Sequence, residues 1–173
     1  SQGLLQAYMP SFCEAVDLVV APSAGMKKVL RQFNVNGNNV AVIPNGVDLK
    51  SFHEAQPFSR TALGYKADDI LLIYSGRLAP EKNLPFLLHA FAGVAQALPN
   101  VHLLLLGSGI QQFEEEIRTL AAELELGERV RFLGRIAYPE LPAYLAMCDL
   151  FVTASVTEVH PLSVIEAMGA GLP

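Results

Sequence analysis

Short apolar runs alternate, from about residue 70 onward, with stretches whose apolar residues recur every three or four positions. Ile70–Tyr74 and Val101–Leu106 are two such runs, and a segment with helical periodicity follows each of them. Runs of this length are typical of strands buried on both faces, and the intervening period is typical of amphipathic helices. The alternation occurs four times, which predicts an α/β fold: a parallel sheet with helices on both faces.

The bounds of the predicted elements follow from the glycine and proline residues that interrupt the pattern. The predicted strands are Ile70–Tyr74, Val101–Leu106, Val130–Leu133 and Leu150–Ala154. The predicted helices run from about Pro85 to Leu98, from after Gly109 to about Leu126, and from about Pro139 to Met147. A last helix is expected with Pro161 in its first turn, because the N–H that proline lacks would have no partner there.

The first fifty residues show a weaker pattern. Leu18–Ala21 and Val40–Ile43 are predicted strands, and Ser23 is a good N-cap for a helix that ends near Phe33. Pro44-Asn45-Gly46 predicts a turn after the second of these strands.

This difference in pattern predicts two domains. Residues 1–50 are interpreted as the tail of an N-terminal lobe with an inter-lobe segment, and residues 51–173 as a second lobe. The chain stops at Gly171-Leu172-Pro173, where a further strand is expected, so we interpret the second lobe as incomplete at its C-terminus.

Composition narrows the classes of function. Hydrophobic residues make up 51% of the chain, but no run approaches the ~18 apolar residues that a spanning helix requires. The net charge of −5 argues against nucleic acid as the main partner, because neutralising phosphates requires a basic surface. Cys13 and Cys148 fit no metal-ligand spacing and suggest no disulfide framework. No signal peptide is recognisable, so the expected location is the cytoplasm.

Candidate chemistry is expected at the carboxyl ends of the strands, where ligands bind in open α/β sheets. The loops at those ends are 75–83, 107–109, 134–137 and 155–163. Three of them contain glycine close after the strand, which lets backbone amides approach a ligand.

Arg77 and Lys82 place two cations five residues apart on the first of these loops. A planar guanidinium and a compact ammonium together suit an anionic group such as a diphosphate. The alternative is that both are solvated surface charges, with Lys82 paired to Glu81. The residues alone leave both interpretations open.

Glu158 and Glu166 are the second candidate pair. Glu166 lies in an apolar segment, where a carboxylate is costly unless it meets a donor, and the two hydroxyls of a ribose are such donors. We expect Glu158 to face the cleft, Glu166 to lie about two turns inside the helix, and the helix N-terminus between them to bind phosphate. The alternatives are a carboxylate that interacts with the helix dipole and a satisfied structural acid. His160 is either a polar pocket residue or a structural one.

Other nucleotide and metal motifs are missing from the sequence. Gly107-Ser108-Gly109 begins like a dinucleotide fingerprint, but Gln112 stands at the third glycine position. The P-loop pattern occurs nowhere. Neither Asp68-Asp69 nor Glu114-Glu115-Glu116 makes a convincing metal cluster, so we expect no metal site.

Five segments together carry an ordered set of motifs. They are Val42-Ile43-Pro44-Asn45-Gly46-Val47-Asp48, Ser75-Gly76-Arg77-Leu78-Ala79-Pro80-Glu81-Lys82-Asn83, Leu105-Leu106-Gly107-Ser108-Gly109, Val130-Arg131-Phe132-Leu133-Gly134, and the stretch from Glu158 to Pro173 with its E-x7-E spacing. In order and spacing they resemble the retaining GT-B glycosyltransferases of the group 1 type, family 4. The resemblance implies a Rossmann-like sheet, the truncated C-terminal half of a GT-B fold.

The resemblance also implies a role for each candidate residue. Arg77 and Lys82 would hold the diphosphate of a nucleotide-sugar and stabilise charge on the leaving group. Glu158 would bind hydroxyls of the transferred sugar, as a third residue of the catalytic set, and Glu166 would bind the ribose. The other implied donor contacts are Gly76, Gly107, Ile136 near the nucleobase, His160, Leu162 and Ser163. The chain departs from the family at Val159-His160-Pro161-Leu162, where many members have a glycine-rich step.

The implied function is transfer of a sugar from a UDP- or GDP-linked donor to an acceptor, with retention of configuration and without a cofactor. The acceptor, a sugar, lipid or small molecule, would bind to an N-terminal lobe that is mostly missing. We therefore expect the 173-residue chain to bind a nucleotide weakly and not to catalyse transfer.

The location would be cytoplasmic or at the inner face of the membrane, and peripheral membrane association stays open. The alternatives are a sugar phosphorylase, a nucleotide-sugar epimerase, or a non-catalytic nucleotide-binding module.

Overall fold

The computed structural model describes residues 2–173, with side chains from residue 7 onward. The chain separates into two compact units. The first unit is Ser1–Gly46 with Glu158–Leu162, and the second unit is Val47–Thr157 with Ser163–Pro173. The predicted division into two lobes at residue 50 stays a prediction.

The secondary structure of the described residues alternates as predicted from the pattern. The helices are α1 Gln2–Glu14, α2 Ala24–Gln32, α3 Leu49–His53, α4 Leu84–Ala97, α5 Gln111–Glu123, α6 Leu141–Ala146 and α7 Leu162–Gly169. The strands are β1 Val19–Ala21, β2 Val40–Val42, β3 Ile70–Ser75, β4 Val101–Leu106, β5 Val130–Gly134 and β6 Leu150–Phe151. Single 3-10 turns cover Gly37–Asn39, Thr61–Leu63, Pro80–Lys82, Gly127–Arg129 and Tyr138–Glu140.

The second unit is built on a parallel sheet with the strand order β5-β4-β3-β6. The chain adds β4 and β5 on one side of β3 and then returns to place β6 on the other side. The strand order therefore reverses between β3 and β6, and such a reversal opens a crevice at the carboxyl ends of the strands. The prediction of a parallel α/β sheet is confirmed.

The two central strands are buried on both faces, which explains their continuous apolar sequences. Leu103 and Leu105 of β4 pack with α4 and α5 in one hydrophobic cluster. Leu104, between them, points to the opposite face and packs in a second cluster with Phe52 of α3 and Leu145 of α6. Side chains alternate along a strand, so one apolar run supplies both cores. The helices lie on both faces, as predicted.

Three predicted bounds are wrong. Helix α5 ends at Glu123 and not near Leu126, because Glu125 takes a left-handed conformation with φ 53°. Leu126 is nevertheless buried, so the apolar period continues past the end of the helix. Strand β6 contains only Leu150–Phe151 where Leu150–Ala154 was predicted. Helix α7 begins at Leu162, so Pro161 precedes the helix instead of lying in its first turn.

The first unit contains the parallel pair β1 and β2 beside α2. The side-chain oxygen of Ser23 accepts a hydrogen bond from the N–H of Met26 at 3.1 Å, which confirms the predicted N-cap. A small cluster forms the core of this unit, with Cys13, Ala21, Val35 and Val40 as its buried members. No helix within residues 2–173 is both long and apolar enough to cross a membrane.

The loops after β3 and β4 are fixed to each other by close backbone contact. A Cβ atom placed on Gly107 would lie 1.8 Å from the carbonyl oxygen of Gly76, and the φ of Gly107 is 138°. A Cβ on Gly109 would lie 1.9 Å from the carbonyl oxygen of Leu78. Both distances are far inside van der Waals contact, so the two loops meet this closely only where side chains are missing.

We expect Gly107→Ala to lower the free energy of unfolding by about 2–5 kcal/mol, since it adds both a steric clash and backbone strain. Urea unfolding measures this change. Gly93→Ala is the matched control, because Gly93 is exposed on α4 and a Cβ there meets nothing within 4 Å. That control should leave stability unchanged or raise it by up to about 1 kcal/mol. Equal stabilities for the two variants would contradict the close approach of the loops.

Both cysteines are free and buried, and burial raises the pKa of the Cys148 thiol from 9.0 to about 12. A thiol with a raised pKa stabilises the folded chain below pH ~9, and that stabilisation is lost as the pH rises toward the folded pKa. We expect a loss of about 2 kcal/mol between pH ~9 and ~11 that Cys148→Ala does not show. Urea unfolding at both pH values tests this. Cys13→Ala should keep the loss, and the same pH dependence in Cys148→Ala would refute the assignment.

Candidate functional site

A cavity of about 470 Å³ opens at the carboxyl ends of β3, β4 and β5 in the second unit. Its lining residues are Ser75, Gly76, Arg77, Leu106, Gly107, Ser108, Arg135 and Ile136. Four of these residues, Gly76, Arg77, Gly107 and Ile136, were predicted donor contacts. They come from three separate loops, and the sheet brings them together at the edge that the strand pattern indicated.

A larger cavity of about 790 Å³ lies at the opposite, amino ends of the same strands. Its charged lining residues have both signs, with Lys66, Arg118 and Arg131 beside Asp69 and Glu128. Volume alone therefore does not select the site. The smaller cavity is the better candidate, because it lies at the end of the sheet where parallel strands present their loops to ligands.

The backbone of Arg77 is held on both sides. The N–H groups of Gly76 and Leu78 donate hydrogen bonds of 3.0 Å each to carbonyls at the end of β4 and in the loop after it. The buried hydroxyl of Tyr74 donates to the carbonyl oxygen of Arg77 at 2.6 Å. The guanidinium group therefore projects from a fixed point of the loop, and the side chain is 76% exposed.

The side chain of Arg77 forms an ion pair with Glu81, with 2.7 Å between Nη2 and Oε1. The alternative interpretation of this loop, with Lys82 paired to Glu81, stays a prediction, while Arg77 is a partner of Glu81. Exposed pairs of this kind contribute at most about 1 kcal/mol to stability. An incoming anion can therefore replace Glu81 at little cost. Lys82 ends the 3-10 turn Pro80–Lys82 on the same loop, outside the cavity lining.

Three glycines of these loops have N–H groups that are hydrogen-bonded within the protein. Gly76 donates its N–H to Leu106 at 3.0 Å, and Gly107 donates its N–H to the carbonyl of Gly134 at 2.8 Å. Gly109 donates its N–H to the carboxylate of Glu114 at 2.5 Å. These amides are already paired and are not free donors for a ligand. The glycines instead allow the loops to approach one another, which shapes the cavity wall.

The charge of the cavity lining is positive although the chain is acidic. Arg77 and Arg135 are its two charged lining residues, and the net charge of the chain is −5. Sequence reasoning missed Arg135, which follows the glycine that ends β5. The available signal was a basic residue directly after a strand, on a loop that had already been selected. Ser75 and Ser108 add hydroxyl groups to the same lining.

Glu166 is buried in α7, with 7% of its surface exposed. Its Oε1 accepts a hydrogen bond of 2.9 Å from the hydroxyl of Tyr138. Because α7 begins at Leu162, Glu166 lies just over one turn inside the helix and not two turns as expected. Sequence reasoning did not identify Tyr138, since the two residues are 28 positions apart and belong to no motif. Burial and then the hydrogen bond to Glu166 raise the pKa of Tyr138.

The last part of the motif region belongs to the first unit. Glu158, His160 and Leu162 lie in its segment Glu158–Leu162, and Ser163 begins the next segment of the second unit. The N–H of Leu162 donates to the carbonyl of His160 at 2.9 Å, so this amide at the start of α7 is already paired. The Nδ1 atom of His160 is buried and has no hydrogen bond among the described residues.

The first unit also anchors this segment from α2. The hydroxyl of Ser23, the N-cap of that helix, donates to the carbonyl of Val159 at 2.8 Å. Within the second unit, the N–H of Val156 donates to the carbonyl of Glu81 at 3.2 Å. This bond joins the loop after β6 to the loop after β3, the two strands between which the order of the sheet reverses.

Models of two families match the chain. The model for glycosyl transferases group 1 matches residues 55–173, and that for glycosyltransferase family 4 matches residues 1–51.

Similar proteins and structures extend well beyond this chain. An alpha-monoglucosyldiacylglycerol synthase from Streptococcus pneumoniae is 30% identical over 94% of this chain and 37% of its own length. A GDP-mannose-dependent phosphatidylinositol monomannoside mannosyltransferase from Corynebacterium glutamicum is 32% identical over 76% of this chain and 36% of its own length. The crystal structure of Anabaena HepE with UDP and glucose superposes with a TM-score of 0.83 at 27% identity, covering 97% of this chain and 47% of HepE. The chain thus spans less than half the length of each of these three proteins.

Proposed function

The chain belongs to the group 1 glycosyl transferases, and on that premise we propose that its second unit binds the nucleotide-diphospho-sugar donor of a retaining glycosyltransferase. The observation that carries the proposal is the cavity at the carboxyl ends of β3, β4 and β5, whose two charged residues are both arginines. An anionic donor suits such a lining, because a guanidinium offers paired donors to phosphate oxygens.

Arg77 and Lys82 are assigned to the diphosphate. The fixed backbone of Arg77 lets its side chain exchange Glu81 for a phosphate without moving the loop. Negative charge grows on the diphosphate as the bond to the sugar breaks, and positioned cations lower the energy of that state. Two cations can supply this stabilisation, so the proposal requires no metal ion.

The other assignments concern the nucleoside and the sugar. Glu166 is assigned to the ribose hydroxyls. It is buried, and a buried carboxylate is costly unless hydrogen-bond donors such as these hydroxyls contact it. Ile136 lines the cavity beside Arg135 and is assigned to the nucleobase. For Glu158, the proposed role is binding of the transferred sugar. The remaining proposed contacts are Gly76, Gly107, His160, Leu162 and Ser163, with the two glycines contributing cavity wall instead of amide donors.

The nucleotide is proposed to be UDP or GDP. The HepE structure contains UDP, and the corynebacterial relative is named for its dependence on GDP-mannose. The acceptor is proposed to bind to a part of the protein beyond this chain, as a sugar, a lipid or another small molecule. A cytoplasmic location, or peripheral association with the inner face of a membrane, would fit a lipid acceptor such as the name of the streptococcal relative suggests.

We expect Arg77→Ala and Lys82→Ala each to weaken UDP binding by about tenfold or more, because each removes a charge-assisted contact worth about 1.5–3 kcal/mol. Isothermal titration calorimetry with UDP and with uridine measures this. The loss should be confined to UDP, since uridine has no phosphate. Glu166→Ala should weaken both ligands, because both carry the ribose.

Lys66→Ala is the matched control for those variants. Lys66 is an exposed cation of the same unit and lines the cavity at the opposite ends of the strands. UDP affinity should be unchanged in this variant. If nucleoside diphosphates, GDP included, bind the Arg77, Lys82 and Glu166 variants as tightly as the wild-type chain, the proposed donor site is wrong.

The 173-residue chain by itself is expected to bind nucleotide without transferring sugar. The reason is that the proposed acceptor site lies outside it. Incubation with UDP-glucose or GDP-mannose and a panel of sugar and lipid acceptors, followed by mass spectrometry of the products, tests this expectation. Formation of any glycosylated product that depends on Arg77 would overturn it.

A further inference from the structure

Tyr138 makes a contact that the assignment of the donor site does not use. Its hydroxyl donates to Oε1 of Glu166 at 2.9 Å, although 60% of the surface of Tyr138 is exposed. An exposed tyrosine usually directs its hydroxyl to water. Here the hydroxyl meets a carboxylate that is itself buried, so the contact has an energetic consequence for Glu166.

The ring of Tyr138 is held in place on its other side. The ring of Phe52, which is buried in α3, contacts it edge-to-face with 6.3 Å between the centroids and 71° between the planes. Tyr138 also begins the 3-10 turn Tyr138–Glu140, in which the N–H of Glu140 donates to Ala137 at 2.9 Å. The Glu140 carboxylate accepts the N–H of Ala137 in return, at 3.2 Å. Both the backbone and the ring of Tyr138 are therefore constrained.

In this hydrogen bond the phenol of Tyr138 donates and Oε1 of Glu166 accepts. Burial and the proximity of Glu166 both raise the pKa of Tyr138, so the phenol keeps its proton at neutral pH. The terminal torsion of a glutamate is broad and roughly two-fold, and a donor at one oxygen selects one orientation of the carboxylate plane.

We propose that Tyr138 is a positioning residue for ribose recognition: it fixes the Glu166 carboxylate so that its remaining lone pairs receive the hydroxyls of the donor ribose. This inference rests on the proposed function, which assigns Glu166 to the ribose. A carboxylate has about four acceptor sites, and Tyr138 occupies one of them. The orientation of the group would then be set before the nucleotide arrives, which reduces the ordering cost of binding.

The position of Tyr138 also links two parts of the nucleoside. Ile136, assigned to the nucleobase, and Tyr138 lie two residues apart on the connection between β5 and α6. One short segment would thus contact the base directly and the ribose through Glu166. Discrimination of the ribose should depend on Tyr138 even though its hydroxyl does not contact the ligand.

The test compares UDP with 2′,3′-dideoxyuridine 5′-diphosphate in calorimetric titrations of the 173-residue chain. The wild-type chain should bind UDP at least about tenfold more tightly than the dideoxy ligand. The dideoxy ligand lacks the ribose hydroxyls, and hydrogen bonds from hydroxyls to a charged group contribute about this much affinity. Tyr138→Phe should weaken UDP several-fold and leave the dideoxy ligand unchanged, so that the preference shrinks. In a Glu166→Ala background, Tyr138→Phe should have no further effect on UDP affinity.

Tyr65→Phe is the matched control. The Tyr65 hydroxyl is buried without a hydrogen bond among the described residues, near the amino ends of the strands. Its removal should leave both affinities and the preference for UDP unchanged. Melting temperatures of all variants report whether Tyr138→Phe perturbs the fold, and Tyr138→Leu should reduce the preference in the same way.

Two results overturn the inference. In the first, a folded Tyr138 variant keeps the full preference for UDP while Glu166→Ala abolishes it. That result contradicts the role of Tyr138 and leaves the proposed donor site intact. In the second, Tyr138→Phe lowers UDP affinity equally in the wild-type chain and in the Glu166→Ala variant. Tyr138 would then act independently of the Glu166 carboxylate. A wild-type chain that binds UDP without any preference over the dideoxy ligand, or does not bind it, contradicts the ribose assignment and this inference together.

Discussion

The continuation of backbone hydrogen bonds beyond the ends of the strands is the constraint on which the candidate site depends. Gly76 bonds to Leu106 and Gly107 bonds to Gly134, so the loops after β3, β4 and β5 extend the order of the sheet by a further step. The space between the first two loops is too small for a Cβ atom at Gly107. These contacts help to position Arg77 and Ile136, together with the hydroxyl of Tyr74 below Arg77 and the hydrophobic cluster against which Ile136 packs.

The residues of the proposed donor site differ in their surroundings. Arg77 is exposed and paired with Glu81, an exchangeable partner on the same loop. Glu166 is buried and already accepts a hydrogen bond from Tyr138. The exposed ion pair of Arg77 contributes little in water, so an anion can replace Glu81 at a small cost. The buried acid needs a partner at all times, since an unpaired buried carboxylate is costly.

The apolar pattern predicted the element order, the parallel sheet and the end of the sheet at which the cavity opens, because burial on both faces leaves a direct trace in sequence. The pattern gave wrong ends for elements where apolar residues continue beyond the last residue of the helix or strand. Leu126 is buried after α5 has ended, and the apolar run of β6 extends beyond the residues that pair with β3. The close approach of the loops at Gly107 was not predicted, because a glycine that admits a neighbouring loop and one that admits a ligand look alike in sequence.

The sequence by itself determined which loops carry the candidate chemistry and which charged residues lie on them, since strand ends and residue types can both be read from a linear pattern. Only the tertiary structure decided that Arg77 pairs with Glu81, that Arg135 joins the cavity lining, and that Tyr138 donates to Glu166. Arg77 and Glu81 are only four positions apart, but Arg135 and Tyr138 are far in sequence from the residues that they meet. Their partners are chosen by the order of the strands and the packing of the helices, which follow from the burial of the whole chain.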